Sequence, residues 1–277
     1  MVAKGPGQPV PGKAPVAAGA SNAQVAPGAP IEPVAGVVFD LDGTLYPFGR
    51  AILLSASVVL RHQRFFRAFG RTRHELRDVP LDAVPAADQS ADADGDAHGD
   101  ADSRAALRAA RLRELQSTRL AERLGIDADR ASGELRRIVH GEWARIFGRV
   151  KPYAGVLQTL AGLRQRGARL GVLSDSPLVE EKLLSLGVAE FWDVAIAADE
   201  AGGFKPHPWP FTYVAHRLGI PPERLLYVGN HYRYDIVGAR RAGMLAAHFA
   251  RRPVAFGAAH YTFSNYSSFP EIEIVPG

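Results

Sequence analysis

Val37-Val38-Phe39-Asp40-Leu41-Asp42-Gly43-Thr44-Leu45-Tyr46 carries an apolar strand straight into two carboxylates spaced one residue apart. Alternate residues of a strand point to opposite faces, so Asp40 and Asp42 share a side while Leu41 turns toward packing. Gly43 and Thr44 then release the chain into a turn. An Asp-Gly turn closing a buried strand accounts for Asp42 and Gly43. It gives no reason for Asp40 at the edge of a hydrophobic run, where an unpaired carboxylate is costly. The segment therefore predicts acid chemistry at the carboxyl end of a buried strand.

Outward from this strand, the pattern after Lys151 alternates. Helices are expected near Gly155 to Arg166, Pro177 to Leu186, Trp209 to Leu218 and Ile236 to Ala242. Strands are expected up to Leu173, at Val194 to Ala197, Leu225 to Val228 and Leu245 to Phe249. Such alternation predicts an α/β fold, a doubly wound parallel sheet with helices on both faces, which places ligands at the carboxyl ends of its strands. Between Leu45 and Lys151 the strand signal disappears. Helical spacing takes over from about Ala51 to Leu76 and from about Ala105 to Phe147, as expected for an inserted α-helical cap domain.

Three further segments sit at predicted strand ends. Arg169-Leu170-Gly171-Val172-Leu173-Ser174-Asp175-Ser176-Pro177 delivers a hydroxyl to the end of an apolar strand, with Pro177 suited to the first turn of a helix. Gly203-Phe204-Lys205-Pro206-His207-Pro208 holds Lys205 ahead of two prolines that keep the backbone out of a helix until after His207. Leu225 to Gly243 reads strand, loop, helix, with Asn230 and Asp235 five residues apart and His231-Tyr232-Arg233-Tyr234 between them.

Together, in this order, DLDGTL and the three later segments resemble the four motifs of the haloacid dehalogenase-like hydrolase superfamily, over residues from about 34 to 255. The resemblance implies a Rossmann-like core and a phosphatase mechanism. Asp40 would be the nucleophile that takes up a phosphoryl group, Asp42 the general acid and base, and Lys205 the lysine that offsets charge on both. Ser174 would bind phosphate, with Thr44 and Asp175 beside it. Mg²⁺ would be held by Asp40, the backbone carbonyl of Asp42, and Asp235. At the first metal position, where an acid is common, this chain has Asn230, which offers an amide oxygen or holds a metal-bound water. Asp42 also separates branches, since dehalogenases lack an acid there, having no alkoxide to protonate. The implied function is hydrolysis of a small phosphorylated metabolite through an aspartyl-phosphate. The alternatives are a phosphotransferase or dehalogenase of the same superfamily, or a metal-poor, non-catalytic binding protein, the last suggested by Asn230.

Composition agrees with this division. A chain of 277 residues, 47% hydrophobic, can bury a sizeable core. It has no Cys, hence no disulfide, thiol nucleophile or thiolate zinc site, and its nine His show no zinc spacing. No run approaches a membrane span, and a cytoplasmic location is expected. Residues 1–33 are dominated by Ala, Pro, Gly and Val and read as a disordered tail. Gly7 to Ala14 in that tail mimics a nucleotide-binding loop but fails, because Pro9 and Pro11 lack backbone donors and Ala14 lacks the hydroxyl. The core is expected at 34–47 and 151–255, the cap at 48–150, and a C-terminal extension at 256–277. From Asp78 to Ser103 there are eight Asp and no Lys or Arg, a net of −8 in a chain of net +4. A solvated, disordered acidic loop is therefore expected at about 80–103. The basic cap helices favour anionic substrates, and without a recognisable module no nucleic-acid partner is expected.

Overall fold

The computed structural model describes residues 24–25, 32–79, 97–252 and 257–275. The P-loop mimic and the run Ala91 to Asp96 lie outside the described residues. In chain order the elements are β1 (Gln24–Val25), β2 (Gly36–Phe39), α1 (Phe48–Leu54), α2 (Ala56–Arg61), α3 (Gln63–Leu76), α4 (Ala97–Leu124) and α5 (Ala128–Leu135). A π-helical stretch, Arg136–Trp143, and a 3₁₀ stretch, Ala144–Arg149, return the chain to α6 (Val156–Gln165). Then follow β3 (Arg169–Ser174), α7 (Val179–Leu186), β4 (Val194–Ala197), α8 (Pro208–Leu218), β5 (Leu225–Gly229), α9 (Val237–Arg241), β6 (Leu245–Phe249) and β7 (Tyr261–Phe263).

The strands form one sheet in the order β1-β7-β6-β5-β2-β3-β4, parallel except for the β1–β7 pair. β2 lies in its interior, between β3 and β5, with all four residues buried. A strand covered on both faces reads as a continuous apolar run. Accordingly, Val37 and Phe39 join one core with Leu160, Leu163, Leu183 and Tyr266, while Val38 joins the other with Phe211, Val214 and Tyr227. The chain leaves β2 toward β3 and β4 on one side, then crosses to β5 and β6 on the other. The carboxyl end of β2 is thus the topological switch point, where ligands bind in open α/β sheets.

The strands at Val194–Ala197 and Leu245–Phe249 match the expected bounds. Elsewhere local hydrogen bonds move the ends. Pro177 lies ahead of α7 rather than in its first turn, because the Ser176 hydroxyl accepts from the Leu178 N–H at 3.2 Å and holds a turn there. The stretch from Ala51 to Leu76 breaks into three helices. At the first break the Ser55 hydroxyl donates to the Ala51 carbonyl at 2.6 Å and accepts from the Trp143 indole at 2.9 Å. The acidic segment is helical earlier than expected, since α4 begins at Ala97, ahead of the expected end of the loop near residue 103. Residues 80–96 lie outside the described residues.

Two segments flanking the expected core join the sheet. Residues 261–263 of the expected C-terminal extension form β7 beside β6, and Gln24–Val25, in the segment read as a tail, pairs with β7. Val34 exchanges backbone bonds with Glu273 and Val275, both at 2.9 Å. No helix among the described residues is long and apolar enough to cross a membrane.

Phe39 is fully buried at the last position of β2, against Trp192 and Phe269 with ring centroids 5.8 and 6.1 Å away. Phe39→Ala is expected to cost about 3–5 kcal/mol, seen as a lower urea midpoint of unfolding.

Candidate active site

The register that pairs Phe39 with both Val172 and Val228 brings the ends of three neighbouring strands level, and the Asp40 N–H donates to the Val228 carbonyl at 2.8 Å. Asp40 follows directly, 5% exposed. Its Oδ2 accepts from the Thr44 hydroxyl at 2.8 Å and its Oδ1 from Lys205 Nζ at 2.7 Å. The same ammonium donates to Asp235 Oδ1 at 2.6 Å and lies 3.0 Å from Tyr227 Oη. Asp235 Oδ2 in turn accepts the His231 N–H at 2.8 Å. Two buried carboxylates thus converge on one buried ammonium.

The electrostatics follow from that count. Burial pushes the Asp40 carboxyl up to about 7, with Lys205 pulling it back and Asp235 pushing it further. Burial alone would depress Lys205, but Asp235 and Asp40 outweigh it and hold the ammonium well above the ordinary lysine range. One positive charge offsets one carboxylate, and the pair retains a negative charge.

Two glycines make this closeness possible. A Cβ on Gly229 would lie 2.4 Å from Cβ of Asp235, so β5 can end against that side chain only as glycine. Gly43 has φ +88°, and a Cβ there would meet the Asn230 amide nitrogen at 2.5 Å.

Asp42 sits apart from this cluster. Its carboxylate, 24% exposed, accepts from Lys182 Nζ at 2.6 and 2.9 Å and from the Tyr46 hydroxyl. Lys182 is fully buried and also donates to Ser176 Oγ at 2.7 Å. Burial lowers its pKa, with Asp42 opposing. Ser174 Oγ is buried and accepts from the Ser176 N–H at 3.1 Å, which leaves its own hydroxyl hydrogen to donate.

Thr44, Asp175 and Asn230 lie around this cluster, each with protein partners. The Thr44 hydroxyl is spent on Asp40 and faces Asn230 Oδ1 at 3.2 Å. The Asp175 carboxylate accepts from the Lys205 N–H at 3.1 Å and from Arg77 at 2.8 Å. Asn230 is exposed, with its side-chain oxygen on the Thr44 side. His207 caps α8 by accepting the Trp209 N–H. Of the loop between Asn230 and Asp235, Tyr234 lies under the Arg77 guanidinium at 4.8 Å, whereas Tyr232 turns away to accept the Ala258 N–H.

Sequence reading missed Lys182, Tyr46, Tyr227, Arg73 and Arg77. Arg73 donates to the Asp175 carbonyl and, at 3.1 Å, to Asp199, with its guanidinium 4.4 Å above Phe204. With Arg77 it docks the carboxyl end of α3 onto the loops after β3 and β4. These arginines are indistinguishable in sequence from their solvated neighbours. Lys182 did leave a signal, since it stands in the stripe Val179, Lys182, Leu183, Leu186 that α7 buries.

A family model for haloacid dehalogenase-like hydrolases matches residues 34–243, from just before β2 to just past α9. The chain belongs to this hydrolase family. Among relatives of this haloacid dehalogenase-like hydrolase, the glyceraldehyde 3-phosphate phosphatase of Methanopyrus kandleri is 40% identical over 107 residues, 38% of this chain and 46% of that protein. The chain thus spans a little under half the length of that phosphatase. The phosphoglycolate phosphatase of Escherichia coli K12 is 29% identical over 219 residues, 76% of this chain and 79% of that protein. In fold, the hydrolase is similar to a 2-haloacid dehalogenase from Pseudomonas syringae, with TM-score 0.55 and 24% identity over 84% of this chain and 95% of that one.

A carboxyl raised on folding loses its proton earlier in the unfolded chain, so stability falls as pH rises from about 4, the ordinary value, to about 7 in the folded protein. Asp40→Asn removes that loss. In EDTA the variant is expected to melt higher than wild type at pH 8, by roughly 2–4 °C per kcal/mol regained, with the gain shrinking toward pH 4.

Proposed function

We propose that the protein is a Mg²⁺-dependent phosphomonoesterase that acts on a small phosphorylated metabolite through an aspartyl-phosphate. The observation that carries this reading is the pair Asp40 and Asp42, one buried against Lys205 and the other partly exposed, at the switch point of the sheet. A nucleophile and a separate proton donor suit an alkoxide leaving group, and Asp42 disfavours dehalogenation. The named relatives agree, since those of Methanopyrus kandleri and Escherichia coli are phosphatases of small phosphorylated compounds. In this reading the enzyme works in the cytoplasm.

In the first step an Asp40 oxygen attacks phosphorus in line and the ester P–O bond breaks, while the Asp42 carboxyl gives its proton to the departing oxygen. In the second, water attacks phosphorus and gives a proton to Asp42 while the P–O bond to Asp40 breaks, which releases phosphate and regenerates the Asp40 carboxylate and the Asp42 carboxyl. Lys205 and the Ser174 hydroxyl stabilise charge on the phosphoryl oxygens.

The donor chemistry fits Mg²⁺, which prefers hard oxygens and retains waters. No three His, Cys, Asp or Glu side chains converge as a metal cluster among the described residues. The set on hand is instead two carboxylates, Asp40 and Asp235, the Asp42 backbone carbonyl, and the Asn230 amide oxygen. The negative charge left over after Lys205 is what a cation would offset. Bound there, the ion would neutralise charge on the phosphoryl group.

Purified protein is expected to release phosphate from at least one of phosphoglycolate, glyceraldehyde 3-phosphate and p-nitrophenyl phosphate with Mg²⁺, and to stop in EDTA. Asp40→Asn should lower kcat at least about 10³-fold, and Lys205→Met comparably. Equal release by Asp40→Asn and wild type would refute the reading.

A further inference from the structure

We infer that Lys182 is a positioning residue for proton transfer, holding the Asp42 carboxyl group where it meets the leaving oxygen. The inference rests on the phosphatase reading above and assigns a role to a residue outside the four motifs.

The argument starts from cost. α7 buries Val179, Lys182, Leu183 and Leu186, so a lysine occupies a place in an apolar stripe where leucine or methionine would pack. Lys182 is 0% exposed, and its ammonium lies 4.6 Å from the Phe147 ring centroid, 5.8 Å from Trp143 and 5.9 Å from Tyr46. An ammonium in such a cage is expensive unless paired, and replacing a buried ion pair by apolar groups is commonly neutral or stabilising. Stability alone gives this lysine no reason to be here.

Its partners give the reason. Both Asp42 oxygens accept from Lys182, at 2.6 and 2.9 Å, a two-point contact that fixes the plane of the carboxylate as well as its position. Ser176 Oγ, 2.7 Å from the same nitrogen, anchors the ammonium to the turn after Ser174. The Tyr46 hydroxyl completes the clamp from the motif loop itself. Asp42 is partly exposed and would be solvated without Lys182, but it would then sample several rotamers. A mobile donor loses the alignment that proton transfer requires. Lys205 cannot do this, since its contacts are to Asp40, Asp235, Tyr227 and the Leu173 carbonyl.

The discriminating readout is dependence on the leaving group. p-Nitrophenolate departs without a proton, whereas the alkoxide of phosphoglycolate or glyceraldehyde 3-phosphate needs one. We therefore compare kcat/KM for p-nitrophenyl phosphate with that for whichever alkyl phosphate the wild type turns over. In Lys182→Met the alkyl-to-aryl ratio is expected to fall about 10²-fold, as in Asp42→Asn, and the double variant should be no worse than Asp42→Asn alone. Lys182→Gln, which keeps a donor without the charge, should fall between and serves if Lys182→Met does not fold. Equal loss on both substrates, or losses that multiply in the double variant, would overturn the inference and leave the phosphatase reading standing. A wild type inactive on every substrate would overturn both.

Discussion

The structure turns on one ammonium group. Lys205 reaches Asp40 at the end of β2 and Asp235 beyond β5 from the loop after β4, and Tyr227 lies on β5 within its reach. A lone charge at that depth would be untenable, and two buried carboxylates without it would be worse. The three motifs therefore require one another. The parallel sheet meets that requirement by placing β2 between β3 and β5, so that the loops carrying the partners converge from both sides.

The same physics gives two aspartates, two residues apart, different characters. Asp40 is buried beside a second carboxylate and its acid strength is weakened toward neutrality. Asp42 keeps contact with solvent and is held by a lysine of its own. The cap is drawn into this arrangement through Asp175, whose carboxylate joins Arg77, just past α3, to the backbone of Lys205. Asp175 thus ties the end of α3 to the loop that carries Lys205.

Much of this was legible in sequence, for reasons that differ by element. The strands were readable because burial on both faces makes each an unbroken apolar run, and Asp40 stood out as a charge that such a run does not tolerate. The order of the four motifs carried Lys205, Ser174 and Asp235. What sequence did not give were contacts whose partners lie far away in the chain. The Arg73 and Arg77 pairings look like any basic helix face until Asp175 and Asp199 are brought opposite. The hydroxyl of Thr44 could serve phosphate or carboxylate equally, and only the turn at Gly43 aims it at Asp40. Lys182 lay within reach of periodicity, as a cation in an apolar stripe, and needed only to be read as an exception. β7 was missed because a three-residue strand offers too little alternation to detect.

The fully buried Tyr266 donates its hydroxyl to the carbonyl of Thr44 at 2.9 Å, 222 residues away in sequence. That bond braces the turn bearing the two aspartates from beneath, and β7 beside it seals the flank of β6. During synthesis β2 emerges well before Tyr266, so its turn must wait for 222 further residues before this support arrives. Long-range closure of this kind slows folding and leaves the nascent sheet with an open edge in the interval. The turn that bears Asp40 and Asp42 is thus tied to a residue far along the chain, and its geometry depends on both ends of the described core being in place.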